Sequence, residues 1–202
     1  MSVQLIKDGP IAIVTIDNPP VNAASHAVRQ GLMDCLVACE ADDTVTAVVL
    51  NCTGRSFVAG ADIREFGKPP IAPILPDVLR DMEAARKPWV AAIHGMALGG
   101  GLELAMACRC RVATADAGFG LPEVGLGLIP GAGGTVQLPR LVPADLALDM
   151  VTSGKPIGAE KALSTGLIDA VTDDDLLAFA VGFAGQLANR PLPEVPIRRS
   201  VI

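Results

Sequence analysis

The chain has 202 residues, half of them hydrophobic, with 22 acidic against 16 basic side chains and a formal net charge of −6. That length suits one domain whose core needs no disulfide or metal staple. An acidic balance, 3% aromatic content and the absence of Tyr exclude a nucleic-acid surface, which relies on clustered cations and stacking rings.

In chain order, Val3 to Ile6 and Ile11 to Ile16 are β-branched runs parted by Asp8-Gly9-Pro10, and they predict a hairpin. Asn18-Pro-Pro-Val-Asn22 ends it, and Ser25 is placed to cap a helix through Cys39 with Val28, Leu32, Cys35, Leu36 and Cys39 on one face. Ala47 to Cys52 reads as a buried strand. Residues 53–76 are irregular, apart from a short helical stretch opened by Gly60-Ala-Asp62 and running to Phe66. A helix to Arg86 follows, broken by Lys87-Pro88, then a strand from Trp89 to Ile93. Gly99 to Cys108 predicts a helix and Arg111 to Ala115 a strand. Beyond Pro130 the composition predicts helices at 135–141, 144–152, 159–164 and 176–189. Strands alternating with helices indicate an α/β domain.

Mean hydropathy is +0.45, yet Gly, Pro or charge interrupts each apolar run well before the length of a membrane span. The N-terminus has no basic stretch followed by an apolar one, so no signal peptide is expected and a cytoplasmic address is the default. Five cysteines form no even framework, and Cys108-Arg-Cys110 lacks paired metal-ligand spacing with only His26 and His94 to assist. They read as structural thiols of a reducing compartment, with no metal site.

Two glutamates stand out. Glu103 lies in His94-Gly-Met-Ala-Leu-Gly-Gly-Gly-Leu-Glu-Leu-Ala105, and Glu123 in Gly118-Phe-Gly-Leu-Pro-Glu-Val-Gly125. A carboxylate in apolar surroundings loses hydration, which raises its pKa toward the range of general acid and base work. Glycine-rich backbone beside both offers N–H groups for an oxyanion. Gly131-Ala-Gly-Gly-Thr135 has neither the Lys of a P-loop nor the spacing of a dinucleotide fingerprint, and no nucleophile elbow or HExxH is present. Proton transfer beside a carbonyl is the chemistry left.

Ser56-Phe-Val-Ala-Gly-Ala-Asp-Ile-Arg-Glu65, Ala97-Leu-Gly-Gly-Gly-Leu-Glu-Leu-Ala105 and Leu121-Pro-Glu-Val-Gly-Leu-Gly-Leu-Ile-Pro-Gly-Ala-Gly-Gly-Thr135 resemble, in order and spacing, the signature blocks of the enoyl-CoA hydratase/isomerase (crotonase) superfamily. Within it, the chain is most similar to the hydratase/isomerase half of multifunctional β-oxidation enzymes, in which a 3-hydroxyacyl-CoA dehydrogenase half follows on the same polypeptide. The resemblance implies an α/β spiral of ββα turns and addition of water to a trans-2-enoyl-CoA, with 3-enoyl-CoA isomerisation as a second activity. Glu103 and Glu123 are the implied catalytic pair, and the N–H groups of Ala61 and Gly100 the implied oxyanion hole. Ala23, Ala24, Asp62, Ile63 and Arg64 are implied coenzyme A contacts, whereas His94 reads as structural. Coenzyme A is part of the substrate, and no cofactor is expected.

The same resemblance implies a homo-oligomer, makes the peroxisome an alternative address, and suggests that the family's C-terminal helices are missing after Ile202. The expected organisation is a core over 1–189 and a proline-rich exit segment over 190–202. A non-catalytic CoA-binding or assembly module of a multifunctional enzyme is the competing reading.

Overall fold

A computed structural model of the chain describes residues 2–188. The expected boundary near 189 and the exit segment beyond it lie outside those residues.

The hairpin forms as predicted: β1 (Val3–Asp8) pairs antiparallel with β2 (Ile11–Ile16). From β2 onward the sheet is parallel, running through β3 (Ala47–Cys52) and β4 (Trp89–Ile93). Between β2 and β3 the chain crosses over through α1 (His26–Ala41), which buries the five residues of the predicted face together with Arg29. Ser25 precedes this helix without a side-chain cap bond. Residues 53–74 hold only a 3-10 turn at Ile63–Glu65 before α2 (Leu75–Glu83), which ends three residues short of the expected Arg86.

Strand residues alternate between two apolar layers. Ala12, Val14, Val48, Leu50, Ala91 and Ile93 face the larger core, which α1, α2 and α3 (Gly100–Ala107) cover. Ile11, Ala47, Val49, Val90 and Ala92 face α7 (Leu176–Ala188) on the other side. A sheet covered on both faces explains strands that read as continuous apolar runs. Trp89, Phe57 and Phe119 are fully buried in the larger core, each stabilising by about 2 to 3 kcal/mol relative to an exposed ring.

A second, three-stranded sheet was not anticipated. It joins β5 (Met96–Leu98), β7 (Gly118–Gly120) and β8 (Ile157–Gly158) in that order. Between them lies β6 (Cys110–Thr114), which returns to the main sheet beside β4. Two successive turns of chain, β4-β5-α3 and β6-β7 with the helical segment after it, therefore place one strand in each sheet and then a helical segment, the ββα spiral that the resemblance implies. The region beyond Pro130 contains α4 (Gly134–Leu141), α5 (Ala144–Ser153) and α6 (Ala159–Thr165) as expected. It also contributes β8 and β9 (Ala170–Thr172), the latter extending the main sheet parallel to β6. The expectation of helices alone there is corrected on this point. β9 forms because its partner edge is supplied by a strand far back in the chain.

All five cysteines are free and buried. Burial pushes the thiols of Cys35, Cys39 and Cys110 up to about 11 and that of Cys108 to about 12, and it raises Cys52 as well.

Candidate active site

β5 runs directly into Gly99, whose φ of 52° and ψ of −125° admit only a residue without Cβ. Its N–H donates to the Gly120 carbonyl of β7 at 2.9 Å, and its carbonyl accepts from the Glu103 N–H at 3.0 Å to open α3. Every residue of α3 is buried. The helix comes so near the preceding segment that a Cβ on Gly101 would lie 1.8 Å from the Val58 carbonyl oxygen. Glycine there is demanded by packing alone.

One turn into α3, Glu103 is 4% exposed. Its Oε1 accepts the N–H groups of Ala132 at 2.8 Å and Gly134 at 2.7 Å, the latter being the first residue of α4. Burial raises its pKa, and these two backbone bonds offset the rise only in part. Oε1 is thus committed to the protein. Oε2 lies on the side of Gly100, 3.9 Å from the position a Cβ would take there.

Glu123 sits in a 3-10 turn, Pro122–Leu126, just after β7. It is half-buried, and its Oε1 stands 2.9 Å from where a Gly99 Cβ would be. Its Oε2 is buried without a hydrogen-bond partner among the described residues. Burial raises its pKa, its own backbone N–H works the other way, and the charge of Glu103 raises it again. The two carboxylates therefore sense each other across the Gly99-Gly100 turn. An orphaned carboxylate oxygen is costly to bury, and here it is an acceptor free for a water or a substrate proton.

The remaining wall begins at Ala61. Ala24 donates to the Gly60 carbonyl at 2.9 Å and forms a parallel bridge with Ala61. In such a bridge the bonds run through the flanking residues, so the Ala61 N–H is left to point away from Ala24. It lies 3.5 Å from the Cβ position of Gly100. Gly100 is the first residue of α3, and its N–H has no intrahelical acceptor. Two neighbouring donors are thus free at the positive end of a helix. Ala61, and Leu75 which faces Gly100, also line a cleft of about 210 Å³ together with Asp62, Phe66, Ile71 and Ile74.

The structure brings together Glu103, Glu123, Ala61 and Gly100. Ala24 joins them through its bridge to Ala61, while the Ala23 carbonyl is occupied by Asn18 Nδ2 at 2.8 Å. Asp62 lines the cleft, but the Arg64 guanidinium beside it at 2.7 Å holds its carboxyl below the usual carboxylate range. Ile63 is 72% exposed and the Arg64 side chain 78%, and neither lines the cleft. His94 donates from Nε2 to the Gly54 carbonyl, 3.0 Å away. Sequence reasoning missed the Ala132 and Gly134 donors to Glu103. Their signal was Gly131-Ala-Gly-Gly134, excluded as a phosphate loop but rich in the bare N–H groups a buried carboxylate needs. Among the described residues no group of His, Cys, Asp and Glu is arranged to hold a metal ion, and no helix is long and apolar enough to cross a membrane.

Comparison with known proteins bears on this site. The family model for enoyl-CoA hydratase/isomerase matches residues 7–196. The chain is 46% identical over 182 residues to a peroxisomal bifunctional enzyme of Danio rerio, covering 90% of this chain and 25% of that protein. It is 44% identical over 181 residues to a probable enoyl-CoA hydratase of Bacillus subtilis, covering 86% and 70%. A crystal structure of enoyl-CoA hydratase from Bacillus anthracis superposes with a TM-score of 0.87 at 30% identity, over 94% of this chain and 78% of that one. The chain thus spans about a quarter of the first relative's length and most of the other two.

Proposed function

The chain belongs to the enoyl-CoA hydratase/isomerase family, and from that premise we propose that it adds water to a trans-2-enoyl-CoA in fatty-acid β-oxidation. One observation carries this reading: two carboxylates raised by burial flank a turn whose free N–H groups adjoin a cleft. In the proposed reaction one carboxylate takes a proton from water as its oxygen bonds to the β-carbon. The alkene electrons move toward the thioester oxygen, where the Ala61 and Gly100 N–H groups stabilise the enolate by about 3 kcal/mol per donor. The other carboxylic acid delivers a proton to the α-carbon, so the net change is addition of H and OH. The same pair could move a proton along a 3-enoyl thioester, which makes isomerisation the second activity of this reading.

Self-association is part of the proposal. Leu126, Ile129 and Leu148 are exposed at 66%, 76% and 65%, and α5 packs against the 3-10 turn that carries Glu123. Such a patch favours burial against a second copy. Loss of enoyl absorbance when crotonyl-CoA is added to the protein is the expected result for the activity. A folded protein that binds the thioester without consuming it overturns hydration in favour of a binding module.

A further inference from the structure

Between Ala61 and Leu75, the two cleft residues nearest Gly100, the chain makes a long and mostly exposed excursion. Among the described residues, and apart from the local bonds of Arg64 and Glu65 to Asp62, the hydrogen bonds that tie segment 63–74 to the body outside α2 come from two side chains and one backbone group, all within the first turn of α1. The His26 N–H donates to Glu65 Oε1 at 2.8 Å, and its ring nitrogen Nε2 lies 2.9 Å from the Ala72 carbonyl. Arg29 does the rest. Its Nε donates to the Pro73 carbonyl at 2.7 Å and one terminal nitrogen to the Ile71 carbonyl at 3.3 Å. The other terminal nitrogen donates to the Ala24 carbonyl at 2.9 Å and to Glu65 Oε2 at 2.8 Å.

These partners are not scattered. Ala24 is the bridge partner of Ala61, Glu65 closes the 3-10 turn that follows it, and Ile71 and Pro73 lead into Leu75. Leu75 in turn faces Gly100, with Cδ2 only 2.8 Å from the Cβ position there. Arg29 is 6% exposed and touches none of the atoms placed in the chemistry. A guanidinium presents five donors in a rigid plane, so one side chain can fix several carbonyls in a set geometry, with more donors than the three of a lysine ammonium.

We infer that Arg29 is a positioning residue that holds the Ala61 donor and the Leu75 wall in register with Gly100. The inference rests on the proposed hydration and on its oxyanion hole. Misplacing a donor by a fraction of an ångström to an ångström weakens catalysis steeply, so the effect is on the rate as well as on binding.

The test uses the whole chain and two readouts, steady-state hydration of crotonyl-CoA and the absorption spectrum of a bound cinnamoyl thioester of coenzyme A. Donors that polarise the thioester carbonyl shift that spectrum to longer wavelength. Arg29→Met is expected to lower kcat about tenfold or more and to diminish the red shift, with Arg29→Lys restoring part of each. If Arg29→Met lowers only the melting temperature, leaving kcat and the red shift of the folded protein intact, the inference is overturned while hydration stands. Should Arg29→Met not fold, Glu65→Gln decides, because it weakens one arm of the clasp: a diminished red shift supports the inference and an unchanged one overturns it. Wild-type protein that neither hydrates nor polarises the thioester overturns the function and this inference together.

Discussion

The two walls that meet where Gly100 faces Ala61 and Leu75 are built on opposite terms. On one side α3 is buried over its whole length, and its Gly101 meets backbone that leaves no room for a methyl group. On the other, residues 63–72 are exposed apart from Glu65, and the segment is tied to the body by the first turn of α1. Regions with little buried apolar contact open at lower free-energy cost than packed ones. In the proposed reaction Glu103 and the Gly100 donor belong to the packed wall, where a small error in position is expensive, while the Ala61 donor stands at the root of the exposed one beside the cleft.

The contrast is open to attack first at Gly101. Gly101→Ala places a methyl group against the Val58 carbonyl and is expected to cost about 3 kcal/mol or more, seen as a large loss of folded protein in urea titration. An unperturbed midpoint would show that the packed wall yields. Next in size, Glu103→Gln and Glu123→Gln are each expected to lower hydration of a short enoyl thioester about a hundredfold, with binding nearly unchanged. Near wild-type turnover in either variant removes that glutamate from the chemistry.

A smaller effect follows from pH. Burial raises the Glu123 pKa above its ordinary 4.5, so the folded protein holds that proton more tightly than the unfolded chain does. The resulting stability is fully present below pH 4.5 and is lost as pH rises through the raised value. Glutamine escapes the loss. The melting temperature of Glu123→Gln should therefore exceed that of wild type by a few degrees near pH 7.5, the margin closing toward pH 4; a margin constant with pH contradicts the burial argument. Smallest of all, Phe66→Ala and Ile71→Ala on the exposed wall should change stability by no more than about 0.5 kcal/mol while raising KM for longer acyl chains. A stability loss comparable to that of Gly101→Ala would erase the distinction between the walls.

Legibility in the sequence followed the same division. α3, its glycine turn and Glu103 were readable because an apolar run, a glycine triplet and a lone carboxylate are local signals. The long strands were readable as apolar, β-branched runs, and α1 by its period. β5, β7, β8 and β9 were not, since runs of two or three residues carry no period and their partners lie elsewhere in the chain. For β9 the clue is indirect. Buried Arg111 donates from Nε to the Leu167 carbonyl at 2.6 Å and from its backbone to Asp169 at 2.7 Å, a pairing across more than fifty residues. The Arg29 clasp was hidden for the same reason, because its acceptors apart from Glu65 are backbone carbonyls, and a sequence does not show which carbonyls lack partners.

The buried thiols supply a clock that needs no engineering. Thiolates, not thiols, react with alkylating reagents, and in the folded protein all five sulfurs are buried and held protonated. Modification must wait for the structure around each one to open. Cys35 and Cys39 ride on α1, whereas Cys52 and Cys110 lie on strands of the main sheet and Cys108 at the end of α3. Mass spectrometry of alkylated peptides over time would therefore order these layers by how readily each breathes, and would show whether the helix that grips the exposed wall loosens before the sheet beneath it.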